Sequence, residues 1–178
     1  QVSKLSFQYG YFGSGLEICK RLRLEEIRDL GSNPLYTFTY NQINNLPCRN
    51  SPSIDYLGLF NGIASLWIPP SIENIETGPR RADAVKMQAN LLNRIDFRGG
   101  GYTIYEFEPH SGQVKVNQDY LDKNGYLQSI LVDQFLPILS GNRIFKIRSS
   151  DGEGNTNQIE YKYEKTISQN GQLVVVTS

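Results

Sequence analysis

The chain has 178 residues with two Cys and one His, and its 18 basic and 18 acidic side chains give a formal net charge of zero. That length suffices for one domain, residues 1–178, with a core of its own. Nothing in the even charge predicts the basic face of a nucleic-acid binder, and one His with two Cys excludes a Cys/His zinc site or a multi-His metallohydrolase.

Eleven Tyr and eight Phe against four Ala favour sheet over a helix bundle. Val2 to Phe12 is apolar and aromatic. Leu5, Phe7 and Tyr9 alternate as in a strand, while Val2, Leu5 and Tyr9 also suit a helix. Leu16 to Leu30 reads as partly helical, with Ile18, Leu22 and Leu24 apolar, Glu25 to Arg28 polar, and Gly31 at the residue after the helix. Leu35 to Tyr40 is a strand by alternation and composition, and residues 41–55 form an Asn/Pro-rich loop.

The most apolar run is Tyr56 to Ile68. It is too short to span a membrane and is broken by Gly58 and Gly62. It reads as buried core ended by Pro69–Pro70 or, more sharply, as an exposed patch for a partner. Asp83 to Ile95 reads either as a helix or as a short strand leading to a second one. Gly99–Gly101 breaks the chain. Tyr102 to Glu108 and Gln113 to Asn117 read as a hairpin around Pro109–Gly112. The last third continues with an extended segment, an apolar run closed by Gly141, a strand (RIFKIRSS), a polar loop, a strand (IEYKYEKTI), a turn and a final strand (LVVV).

The two cysteines, Cys19 and Cys48, are either a structural disulfide or two reduced core thiols. Cys48 sits in a polar, Pro-containing loop (NNLPCRNSPS), where a buried thiol is the less natural state. This favours the disulfide, and with it an oxidising compartment: periplasmic, cell-surface or extracellular.

Catalytic patterns are sparse. Glu106, Glu108 and His110 fall on alternate positions, so a straight strand would gather them on one face as a metal or acid/base cluster. Pro109 and Ser111–Gly112 instead read as placing His110 in an exposed turn. Asp151, Glu153, Asn155 and Asn157 alternate oxygen-bearing side chains through a Gly-containing loop, and calcium takes six to eight such ligands. The EF-hand pattern is not met, because Thr156 and Lys162 occupy its Gly and Glu positions. The loop reads either as a calcium site or as a long polar hairpin loop. No other cofactor is expected.

Four stretches together resemble the soluble part of a type IV minor pilin, or of the related type II secretion minor pseudopilin. These are QYGYFGSG near the start, GPRRADAVKMQ, NQDYLDKNGYLQ, and LPILSGNRIFKIRSSDGEGN. The resemblance implies an α+β fold, mainly antiparallel sheet with one or two packed helices. It implies a non-enzymatic structural subunit of an extracellular or periplasmic filament, with other protein subunits as partners and no nucleic acid. Membrane attachment would come only through a hydrophobic helix preceding Gln1 and absent from this sequence. Leu59, Phe60 and Trp67 are then candidates for subunit contact, and the 149–158 loop for subunit contact or calcium stabilisation. A secreted or virion-associated binding module is the alternative reading, and a small carboxylate-dependent hydrolase the second alternative, since a pair of acids obeys no sequence spacing rule.

Overall fold

In a computed structural model, residues 4–13, 15–29, 33–41, 46–66, 78–169 and 172–177 are described. The fold is antiparallel sheet, 51% strand and 5% helical with no helix of seven or more residues. The expectation of an α+β fold with packed helices is therefore corrected to a nearly all-β one.

Among the described residues nine strands follow in chain order: β1 (Ser6–Phe12), β2 (Arg21–Arg28), β3 (Pro34–Tyr40), β4 (Leu92–Phe97), β5 (Tyr102–Leu121), β6 (Leu127–Ser150), β7 (Thr156–Glu160), β8 (Glu164–Gln169) and β9 (Gln172–Thr177). The first seven form one sheet in sequence order, a meander whose two edges are β1 and β7, and β8 pairs with β9 in a separate ribbon. Single turns of 3-10 helix, Glu17–Cys19 and Lys86–Gln88, are the helical pieces among the described residues.

The segment expected to be partly helical, Leu16 to Leu30, is mostly strand β2. Arg21 and Arg23 alternate with Leu22 and Leu24, a period of two. A bulge then intervenes. Gln8 faces Glu26 and Tyr9 faces Leu24, which leaves Glu25 as the extra residue. The bulge spaces Leu24 and Ile27 three apart, imitating a helical stripe. The region 83–95, open between helix and strand, resolves into the 3-10 turn and β4.

The hairpin expected around Pro109–Gly112 is also corrected, because β5 runs straight through it. Proline's fixed φ suits extended backbone, and only the missing N–H counts against it in a strand. The chain reverses instead at Asp122–Tyr126. There the Gly125 N–H donates to the Asp122 carbonyl at 2.9 Å and the Asp122 N–H to the Tyr126 carbonyl at 2.9 Å. Gly125 takes φ +80°, a left-handed conformation that favours glycine. The Asp122 carboxylate accepts from the Asn124 and Tyr126 amides at 2.8 and 3.0 Å.

The chain divides into two compact units. One comprises Gln1–Ser51, Gln88–Glu108 and Asn142–Ser178, and the other Pro52–Met87 and Pro109–Gly141. In the first, Cys19 and Cys48 form the expected disulfide, 29 residues apart. In the second, the loops between Pro52 and Met87 close around polar groups: Ser53, Asp55, Asn61 and Arg80 are all buried. Asn61 donates to the Pro79 and Arg81 carbonyls and accepts from the Ile63 N–H. Asp55 accepts from the Leu57 and Leu59 amides, both at 2.9 Å. Arg80 donates to the Ile54 carbonyl at 3.0 Å. Buried apolar side chains among the described residues are few, Met87 and Ala89.

Candidate interaction surface

Residues directly opposite in an antiparallel ladder project to the same side of the sheet. The register therefore sorts the side chains of β1 to β4 into two faces. Phe7 lies opposite Ile27, Ile27 opposite Tyr36, and Tyr36 opposite Phe97, which makes one apolar row across four strands. Tyr9–Leu24 and Tyr11–Leu22 extend it along β1 and β2. Phe38–Ile95 extends it along β3 and β4. The Tyr36 and Phe97 rings meet edge to face with centroids 5.8 Å apart.

The other face is polar. Gln8, Glu26, Thr37, Asp96 and Tyr102 form a row through the same strands. Its charges are mutually neutralised. Arg94 Nε donates to Asp96 at 2.8 Å, Arg28 Nε to Glu26 at 2.6 Å, and Arg23 pairs with Glu25. The Arg94 guanidinium also lies 4.3 Å over the Tyr102 ring. Arg94 is held above the ordinary arginine pKa, chiefly by its hydrogen bond to Asp96, and stays charged at any working pH.

An amphipathic sheet normally buries its apolar face against a second layer. Here much of that face lies open, with Leu24, Ile27, Phe38 and Ile95 half-buried. Phe7 is 49%, Tyr9 54%, Tyr11 55%, Leu22 61%, Tyr36 41% and Phe97 38% exposed. Scattered exposed apolar residues need no account, but a contiguous patch of this size marks an interaction surface. The patch reaches β1, which is an edge of the sheet among the described strands.

Of the candidates expected from the sequence, Leu59 and Phe60 lie outside this row. Leu59 and Phe60 are half-buried in the second unit, where Leu59 exchanges hydrogen bonds with Asp55 and Phe60 bridges Ile54. Trp67 lies outside the described residues. Within the same run Leu57 is 75% and Leu66 87% exposed, so those two positions do not form the core that the run's apolarity suggested.

In the 151–155 loop, Asp151 turns its carboxylate inward on its own backbone. Oδ1 accepts from the Glu153 and Asn155 amides at 2.8 and 3.2 Å, and Oδ2 from the Asn155 side chain at 2.5 Å. Those bonds, led by the one from Asn155, hold the Asp151 carboxyl below the usual carboxylate range. Glu153 is exposed, and Asn157 sits on β7 opposite Ser149. Among the described residues no group of three or more His, Cys, Asp or Glu is placed to hold a metal ion.

Glu106, Glu108 and His110 do lie along one strand, yet each acid is committed to an arginine. Glu106 pairs with Arg148 and Glu108 with Arg143, both at 2.7 Å. Arg143 is further held by stacking 4.0 Å from the Tyr163 ring. His110 is exposed, and its ring rests against the Gly141 backbone. A groove of about 330 Å³ at the ends of β3 and β4 is lined by Pro34, Leu35, Phe97 and Arg98 among others. Its ionic contact, Arg98 with Asp29 at 2.7 Å, is an exposed ion pair.

Sequence reasoning missed this surface. Its signal was the unbroken alternation of Leu5, Phe7, Tyr9 and Tyr11, which shows strand but not that four strands align their apolar positions. The chain matches no family model, no curated protein and no solved structure.

Proposed function

We propose that this chain is a non-enzymatic structural subunit of an extracellular or periplasmic assembly, joined to its neighbours through the apolar face of β1–β4. The observation that carries the reading is the register-aligned row Phe7–Ile27–Tyr36–Phe97, in which Phe7, Tyr36 and Phe97 are exposed and Ile27 half-buried, on a sheet whose other face is mainly polar. The Cys19–Cys48 disulfide is consistent with an oxidising, non-cytoplasmic compartment. No helix among the described residues is long and apolar enough to cross a membrane. Protein partners fit such a surface, since aromatic side chains carry much of the binding energy at interfaces. The expectation that such a subunit belongs to a pilus-like filament rests on the sequence resemblance alone.

The test compares neighbours on β3 that face opposite ways. Tyr36→Glu should abolish incorporation into the assembly while the purified chain keeps its β-sheet circular dichroism. Thr37→Lys, whose ammonium would lie between Glu26 and Asp96 on the polar face, should leave incorporation intact. Equal incorporation of the two variants would sink the reading.

A further inference from the structure

The apolar face has a definable size. Phe7, Tyr9, Tyr11, Tyr36 and Phe97 each leave about half of roughly 200 Å² of side-chain surface uncovered. With Leu5 and Leu22, also more than half exposed, the open apolar area comes to about 700 Å². A standard stable interface buries about 800 Å² on each partner. One face of this sheet thus supplies nearly the whole of one side of such an interface.

The face also has a definable chemistry. The paired positions that build it carry no charged side chain, whereas the charged residues of β2 and β4 lie on the opposite face or in the bulge, where all but Arg21, which donates to the Pro47 carbonyl, form ion pairs. A partner offering charges would bury them unpaired against this face, which is costly. A partner offering a flat apolar face of the same kind would not. The formal net charge of zero adds no long-range repulsion between identical chains.

We propose, building on the assembly reading above, that the partner is a second copy of this chain, packed face to face through β1–β4. Two such sheets make a two-layer sandwich about 10 Å thick, with strand directions within about 30° of each other. A two-fold interface needs a self-complementary surface, and an aromatic face whose nearest charge is Lys20, over the Tyr11 ring at its rim, meets that need without specific charge pairing. The sandwich supplies the second layer that an amphipathic sheet requires and buries Phe7, Tyr36 and Phe97 at its centre.

Sedimentation velocity of the intact, disulfide-bonded chain from 1 to 100 μM tests this. The expected result is a monomer–dimer equilibrium shifted to dimer at the upper concentrations. The double variant Phe7→Glu/Tyr36→Glu should weaken it at least 100-fold, and Thr37→Lys, between Glu26 and Asp96 on the polar face, should not. Because the double variant could also unfold, hydrogen exchange of the unsubstituted chain at the two ends of the concentration range gives a second readout. The β1–β4 amides should exchange more slowly at 100 μM than at 1 μM. A chain that stays monomeric at 100 μM, with exchange independent of concentration, overturns the proposal. So does a dimer that survives the double substitution while the sheet remains folded. If the chain is monomeric but Tyr36→Glu still blocks incorporation into the native assembly, the partner is a different protein and the assembly reading stands. If neither effect is seen, both readings fail.

Discussion

Replacing Asn61 should open the second unit locally. The side chain is 1% exposed, and its amide joins two stretches of chain. Nδ2 donates to the Pro79 and Arg81 carbonyls at 2.9 and 3.1 Å, and Oδ1 accepts from the Ile63 N–H at 3.0 Å. Asn61→Ala removes three bonds at once, each contributing about 1 kcal/mol net, so the expected cost is roughly 3 kcal/mol. Asn61→Asp is nearly the same size but harsher at neutral pH, because it sets a carboxylate against two carbonyl oxygens. A carboxyl so placed is pushed above the ordinary range. Its penalty is present at neutral pH and falls as pH drops through that raised value, where the protonated acid regains one donor. The assay is amide exchange of residues 52–66 and 78–87 by mass spectrometry. At neutral pH protection in both segments should fall roughly 100-fold for Asn61→Ala, the equivalent of about 3 kcal/mol, and further for Asn61→Asp. The β1–β4 amides of the other unit should hold. Unchanged exchange in Asn61→Asp at neutral pH, or a loss equal in β1–β4, would refute the reasoning.

Other perturbations have equally definite outcomes. Reducing the Cys19–Cys48 disulfide releases a loop of 29 residues' separation, worth about 3.6 kcal/mol in the chain-entropy treatment, so thermal unfolding in reductant should occur roughly 7–14 °C lower. Gly152→Ala should destabilise the 151–155 loop, since a Cβ there would stand 2.6 Å from the Gly100 carbonyl carbon at φ +85°; a melting temperature equal to that of the unsubstituted chain would contradict this. The Asp151 carboxyl lies below its ordinary value when folded. The loop's hydrogen bonds should therefore be intact above that ordinary value and lost as pH falls through the depressed one, and amide shifts of Glu153 and Asn155 in acid titration will report it. Arg143→Lys should destabilise by about 1–2 kcal/mol in chemical denaturation, because Lys cannot both bond Glu108 and stack on Tyr163.

Much of the strand content was legible. The runs LYTFTY, RIFKIRSS and LVVV are rich in β-branched and aromatic residues, and all lie in strands. The turn at Gly99–Gly101 follows from its glycines, with the Phe97 N–H donating to the Gly101 carbonyl at 2.8 Å. The expected helix failed at Glu25, since one bulged residue shifts Leu22, Leu24 and Ile27 out of strict alternation. The hairpin failed at Pro109–Gly112 because turn-forming residues do not force a turn where long neighbouring strands hold the backbone extended. The exposed apolar face was not legible at all. Tyr36 and Phe97 stand sixty-one positions apart in the chain, and only the register of β3 on β4 shows that they share a row with Phe7. The disulfide was legible because Cys19 had no other sulfur partner than Cys48.

The central claim is that one face of the β1–β4 sheet meets another protein surface. A photo-crosslinking residue placed in turn at Ser6, Phe7, Gln8, Tyr9 and Tyr11 of the chain in its native assembly tests it most directly. The account predicts intermolecular adducts with a period of two, strong at Phe7, Tyr9 and Tyr11 and weak at Ser6 and Gln8. Adducts of equal strength at all five positions, or strongest at Ser6 and Gln8, would contradict it.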